Sequence, residues 1–151
     1  MKRKGFTLIE VLMVIVVLAI FLGLTASFTR NSLTNSQFQV TVNEIKQSLL
    51  FTQNLSRQSY RDMTSGVAFE TDSFTEFTAD TYSDADETNY VNELPPSISL
   101  TNIDFNSGTE IYFTKYTGNP VDAGSIDVNH DDGRSATIAV DAEGNISVTF
   151  N

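Results

Sequence analysis

The chain has 151 residues, no cysteine and a single histidine, and its 19 acidic residues outnumber its 9 basic ones. These counts exclude a disulfide framework, a thiolate metal site and any metal site built from several histidines. Three of the basic residues are Lys2, Arg3 and Lys4, so the rest of the chain has 6 basic residues against 19 acids. Because such an acidic chain repels nucleic-acid phosphates and anionic membrane surfaces, we expect no nucleic-acid partner.

The first 28 residues form the most distinctive segment. The three basic residues and Gly5 precede an apolar run from Phe6 to Phe28, in which Glu10 is the single carboxylate. As a helix this run would be about 34 Å long, enough to cross the roughly 30 Å hydrocarbon core of a bilayer. The basic flank favours a cytoplasmic N-terminus.

Two other interpretations of this segment fit less well. A secretory signal peptide has a shorter apolar stretch and a small-x-small cleavage site, and no convincing site follows here. An ordinary membrane anchor does not explain Glu10, because a lone carboxylate inside a bilayer costs on the order of 2–3 kcal/mol or more.

The basic leader, Gly5, the stretch Phe6-Thr7-Leu8-Ile9-Glu10 and the apolar helix together resemble the prepilin signature of type IV pilins and type II secretion pseudopilins. The resemblance implies that a prepilin peptidase cuts between Gly5 and Phe6 and methylates the new amino group of Phe6. It also implies that Glu10 neutralises the terminal amine of a neighbouring subunit inside a filament. The expected location is the bacterial inner membrane, in a single pass, and then a periplasmic pseudopilus or an extracellular pilus.

Residues 29–62 contain neither proline nor glycine and predict that the helix continues as an amphipathic segment. Apolar residues form two sets on nearly opposite sides of this helix. The first set is Phe38, Val42, Ile45 and Leu49, and the second is Leu33, Val40, Phe51 and Leu55. We interpret one set as a contact with the chain's own globular domain and the other as a contact with another subunit. Burial of both sets within one domain is an equally open alternative.

From residue 63 the pattern changes to short strands separated by turns, at residues 67–70, 74–78, 98–105, 110–114, 125–128, 136–140 and 146–150. Residues 80–93 hold five acids and are predicted to form an exposed loop. A change of alternation phase at Thr101-Asn102 predicts a β-bulge, and Asp141–Asn145 predicts a hairpin turn.

These patterns predict an α+β, pilin-like fold. A leader (1–5) precedes a long N-terminal helix with a membrane half (6–28) and an amphipathic half (29–62). This helix packs on a C-terminal antiparallel β-sheet domain (63–151).

The C-terminal half is similar to a family that includes the H-type pseudopilins and the T-type fimbrial minor pilins. The similarity lies mainly in Gly124-Ser125-Ile126, Gly133-Arg134 and Gly144-Asn145-Ile146-Ser147-Val148. It implies a minor structural subunit whose partners are other pilin or pseudopilin subunits, the prepilin peptidase and an inner-membrane assembly platform. A major pilin of a filament shaft is one alternative. A minor pilin that captures DNA is an alternative of another class, which the acidic charge disfavours.

Oxygen-bearing side chains at Asp127, Asn129, Asp131 and Asp132 are the most site-like cluster, and their spacing is typical of a calcium loop. The EF-hand pattern fails, because Asp132 occupies the glycine position and Ile138 replaces the bidentate glutamate. A polar hairpin loop is therefore favoured over calcium. We expect no other cofactor and no enzymatic activity, since the sequence shows no nucleophile–base pair and no phosphate-binding loop.

Overall fold

The computed structural model describes residues 7–106 and 108–151, and from 22 to 35 it describes the backbone alone. The chain divides into two compact units, Met1–Gln37 and Phe38–Asn151. In chain order the elements are helix α1 (Leu8–Arg57), a short 3-10 helix (Tyr60–Asp62), β1 (Ser65–Phe69), β2 (Ser73–Thr78), β3 (Tyr90–Glu93), β4 (Ile98–Phe105), β5 (Glu110–Phe113), β6 (Gly124–His130), β7 (Ser135–Val140) and β8 (Ile146–Phe150).

The first unit contains the N-terminal part of α1. The carbonyl of Thr7 accepts hydrogen bonds from the amides of Glu10 and Val11 at 3.1 and 3.3 Å, which begins the helix. The large apolar side chains from Leu8 to Phe21 are 49–84% exposed. Of the predicted membrane segment (6–28), Phe6 and the side chains from residue 22 onward lie outside the described residues.

Within the described part of the chain, no helix has both the length and the apolar character that crossing a membrane requires.

The second unit has one hydrophobic core, to which α1 and all the inner strands contribute. On α1 the core residues are Phe38, Val42, Ile45 and Leu49, each 2% exposed or less. They recur every three or four residues and therefore lie on one face of the helix. Full burial of such a side chain is worth about 1.5–3 kcal/mol. This packing confirms the α+β prediction of a helix packed on antiparallel strands, and it assigns the first apolar set to the chain's own domain.

The strands form two four-stranded antiparallel sheets, in agreement with the predicted antiparallel β-sheet domain. Their orders are β3-β2-β1-β5 and β4-β6-β7-β8. In β6 and β7 every second residue is buried, including Ile126 and Val128 on the first strand and Ile138 and Val140 on the second. This alternation directs one face of the second sheet into the core.

The predicted irregularities of the second sheet are confirmed. The pairing of β4 with β6 shifts register between Thr101 and Asp104, and Asn102 has a φ of +48° at that point. The hairpin between β7 and β8 turns at Gly144, whose φ of +84° suits glycine. The carboxylate of Asp141 accepts hydrogen bonds from the amides of Glu143 and Asn145 at 3.0 and 2.8 Å, which fixes this turn.

The two largest differences from the predicted boundaries lie in the loop over 80–93 and at the end of the helix. The prediction of a loop over 80–93 is wrong for its last four residues, because Tyr90–Glu93 form β3 and pair with β2. The amphipathic half of the helix, predicted over 29–62, ends at Arg57. Ser59 has a φ of +50°, a left-handed conformation that stops the helix.

Candidate functional site

The predicted processing residues, Gly5 and Phe6, lie outside the described residues, whereas Glu10 is placed in the first turn of α1. Thr7 immediately precedes the helix, and its amide lies 3.5 Å from Oε2 of Glu10. The pair Thr7–Glu10 thus has the spacing and one of the two contacts of a capping box. This signal is visible in the sequence, although the prediction concerned only the charge of Glu10. The carboxylate lies at the positive end of the helix dipole, one turn from the chain's predicted mature N-terminus.

Residues 1–26 match the family model of the prokaryotic N-terminal methylation motif. The match supports a type IV pilin-like precursor and does not extend to the second unit. The motif implies processing by a prepilin peptidase, assembly with other pilin subunits and a bacterial membrane-associated, surface or periplasmic filament location. No curated protein and no solved structure matches the chain significantly.

The four candidate calcium residues are divided between a strand and the turn that follows it. Asp127 and Asn129 lie in β6, and Asp131 and Asp132 follow its end. The carboxylate of Asp127 accepts hydrogen bonds from Thr137 Oγ1 and Asn102 Nδ2, both at 2.7 Å, and these bonds lower the pKa of Asp127.

Asp132, another acid of this cluster, has different partners. Asp132 forms an ion pair with Arg134, and its Oδ1 lies 2.9 Å from Nδ1 of His130. Across residues 7–106 and 108–151, no group of three or more His, Cys, Asp or Glu side chains is placed to hold a metal ion. Calcium binding by Asp127, Asn129, Asp131 and Asp132 stays a prediction.

A groove that the sequence did not predict opens between α1 and strands β2 and β3 of the first sheet. Its volume is about 660 Å³, and it is lined by Glu44, Gln47, Ser48 and Phe51 of α1, Phe74 and Glu76 of β2, and Val91, Asn92 and Glu93 of β3. Phe51 is 52% exposed, so the groove offers apolar surface beside the carboxylates of Glu44 and Glu76. We refer to it as the α1–β3 groove.

Within the groove, Ser48 is buried and Glu76 is half-buried. Burial raises the pKa of Glu76, and the neighbouring Ser48 hydroxyl offsets part of that rise. Ser48 is 4% exposed, and its Oγ lies beside the Glu76 carboxylate without a hydrogen bond of normal geometry. The sequence could not indicate that Glu76 and Ser48 line a groove. One wall of that groove is β3, and β3 lies within residues 80–93, whose pattern predicts a loop.

The second apolar set of α1 is exposed where the structure describes it. Val40 and Phe51 are 54% and 52% exposed, and Leu55 is half-buried. The side chain of Leu33 lies outside the described residues. The alternative that both sets are buried within one domain is therefore wrong for Val40 and Phe51.

We expect Glu76→Gln to stabilise the protein at neutral pH, with the gain disappearing in acid. A carboxyl whose pKa is raised by folding stabilises the fold below its unfolded pKa, and this contribution is lost as pH rises through the folded pKa. Glutamine has no charge to desolvate. Melting curves of both proteins should therefore differ at pH 7 and converge below about pH 4, under the usual glutamate pKa.

The control for this prediction is Glu44→Gln, which changes an exposed acid in the same groove. It should alter the melting temperature little at either pH. A difference between wild type and Glu76→Gln that stays constant from pH 7 to pH 4 would show that burial of the charge is not its cause.

Proposed function

We propose that the chain is a minor subunit of a type IV pilus or of a type II secretion pseudopilus, of the H-type or T-type kind, and that it acts structurally rather than as an enzyme. The observation that supports this most strongly is the contiguous N-terminal motif, matched over residues 1–26. Within it, Gly5, Phe6 and Glu10 occupy the cleavage, methylation and assembly positions.

The proposed mechanism begins in the inner membrane. Lys2, Arg3 and Lys4 hold the N-terminus in the cytoplasm, and the apolar run from Phe6 to Phe28 crosses the bilayer. After the peptidase removes Met1–Gly5, the assembly platform extracts the helix into a filament. There the apolar side chains that are exposed in the isolated chain become buried against other subunits.

Glu10 gives this assembly a defined register. A carboxylate in apolar surroundings is stabilised when a cation lies close to it, and the amine of Phe6 in the next subunit supplies that cation. An apolar helix alone permits many axial registers, whereas the ion pair forms at one. The position of Glu10 in the first turn keeps its carboxylate near the end of the helix, where a neighbour's terminus can reach it.

The second unit would form the aqueous part of the subunit. It has 5 basic residues against 18 acids, which favours solubility outside the cytoplasm. The exposed Val40 and Phe51 support a contact between α1 and another subunit. The proposal is tested by processing: the full chain should lose Met1–Gly5 only in cells that contain an active prepilin peptidase. Retention of the leader in the presence of that enzyme would contradict it.

A further inference from the structure

Strand β3 is the outer strand of the first sheet and has an open edge. The sheet has the order β3-β2-β1-β5, and no described strand lies beyond β3. The amide of Leu94 donates to the carbonyl of Asp72 at 2.8 Å, in the same register as the pairs of β2 and β3. In an antiparallel strand the main-chain amides and carbonyls of every second residue point toward the same neighbouring strand, so those of Asn92 and Tyr90 also face β2. The amides and carbonyls of Val91 and Glu93 therefore point away from the sheet.

The open edge lies beside the α1–β3 groove. Phe74 pairs with Asn92 and Glu76 pairs with Tyr90, so these four side chains share the face of the sheet that is turned toward α1. A further strand added next to β3 would extend this face. Every second side chain of that strand would then project into the groove.

The chemistry of the groove selects which side chain would fit there. The lining residues whose side chains face the groove include two glutamates, Glu44 of α1 and Glu76 of β2, and none of the residues that line it is basic. The hydroxyl of Ser48 is buried beside the Glu76 carboxylate without a hydrogen bond of normal geometry, so a hydrogen-bond donor entering there would contact both groups. Phe51 supplies exposed apolar surface for the stem of a long cationic side chain.

We propose that the α1–β3 groove binds an extended, basic peptide segment of a partner protein. The segment adds to the open edge of β3 as a fifth strand, and a lysine or arginine at an inward position contacts Glu76 and Ser48. Main-chain hydrogen bonds to Val91 and Glu93 hold the segment, and the cationic side chain gives the selectivity. A second copy of this chain fits less well, because the unit from residue 38 onward has 18 acids against 5 basic residues. This proposal is independent of the filament role.

The probe is a short capped peptide of alternating threonine and valine with one central lysine, titrated calorimetrically into the full chain in a non-ionic detergent. The control peptide has norleucine in place of lysine. We expect the lysine peptide to bind at least about tenfold more tightly, a difference of about 1.4 kcal/mol. Glu76→Gln should remove this preference, whereas Asp104→Asn, which changes an exposed acid of the second sheet, should leave it unchanged.

Val91→Pro tests the open edge separately. Proline at this position removes only an amide that points away from β2, so the existing sheet should persist and its circular dichroism should not change. Binding of the lysine peptide should be lost. If the Val91→Pro variant does not fold, the peptide affinities of the Glu76→Gln variant decide whether the proposal stands.

Three results would overturn the proposal. The first is no binding of the lysine peptide by the wild-type chain, and the second is equal affinity for the lysine and norleucine peptides. The third is dimerisation through β3, seen by light scattering and abolished by Val91→Pro, without peptide binding. That last result would assign the edge to a second copy of the chain.

Discussion

Replacing Glu10 by leucine should leave membrane insertion and leader removal intact, while reducing the amount of the chain in filaments at least about tenfold. A lone carboxylate in a bilayer costs on the order of 2–3 kcal/mol, so leucine should make the membrane-inserted chain more stable. In the filament, leucine cannot form the favourable ion pair proposed between Glu10 and the amine of Phe6. Each 1.4 kcal/mol of lost preference for the assembled register changes the equilibrium about tenfold. Glu10 lies in the first turn of α1, where its only described side-chain contact is the 3.5 Å approach of the Thr7 amide.

The measurement compares the sheared filament fraction with the membrane fraction by immunoblot, in a strain that expresses one form of the chain. Val11→Leu is the matched control, because it changes the neighbouring apolar side chain without affecting charge. That variant should reach filaments at the wild-type level. Wild-type amounts of Glu10→Leu in the filament fraction would show that this acid does not set the register.

Gln53→Ala should destabilise the second unit by about 2–6 kcal/mol, the sum expected when two buried carbonyls lose their donor. Gln53 is 2% exposed, and its Nε2 donates to the carbonyls of Gly118 and Gly144 at 3.0 and 2.8 Å. Both glycines are buried. One side chain thereby ties α1 to two turns that are 65 and 91 residues away in sequence.

Urea unfolding of the full chain measures this loss. Asn54→Ala is the control, since Asn54 is exposed and its Nδ2 donates at 2.8 Å to the carbonyl of Leu50 within the same helix. Surface changes of this kind typically alter stability by less than about 0.5 kcal/mol. Similar losses in the two variants would mean that Gln53 contributes only helix propensity and not a link between elements.

Local pattern was sufficient to predict the elements whose burial alternates or repeats regularly. Ile126 and Val128 show the period of a half-buried strand, and Phe38 and Val42 begin the period of a helix face. The bulge near Asn102 was also predictable, because the alternation of apolar residues changes phase there. In each case the signal comes from side chains that the core selects.

Long-range pairing was not predictable in the same way. Strand β3 has mostly exposed side chains and is held by main-chain pairing with β2, which leaves no alternating apolar pattern in Tyr90–Glu93. The division into two sheets depends on β1 pairing with β5 and β4 with β6, which are not neighbours in sequence. The α1–β3 groove depends on this pairing, since Glu76 and Asn92 come to line one groove only once β2 and β3 are paired.

The intact mass of the chain recovered from sheared filaments tests the filament-subunit account most directly. The account predicts a chain that lacks Met1–Gly5, begins at Phe6 and carries one added methyl group, with fragmentation placing the methyl on the Phe6 amine. Material from a strain without prepilin peptidase should retain the leader and be absent from the filament fraction. Assembled protein that still begins at Met1, or that begins at Phe6 without the methyl group, would contradict the account.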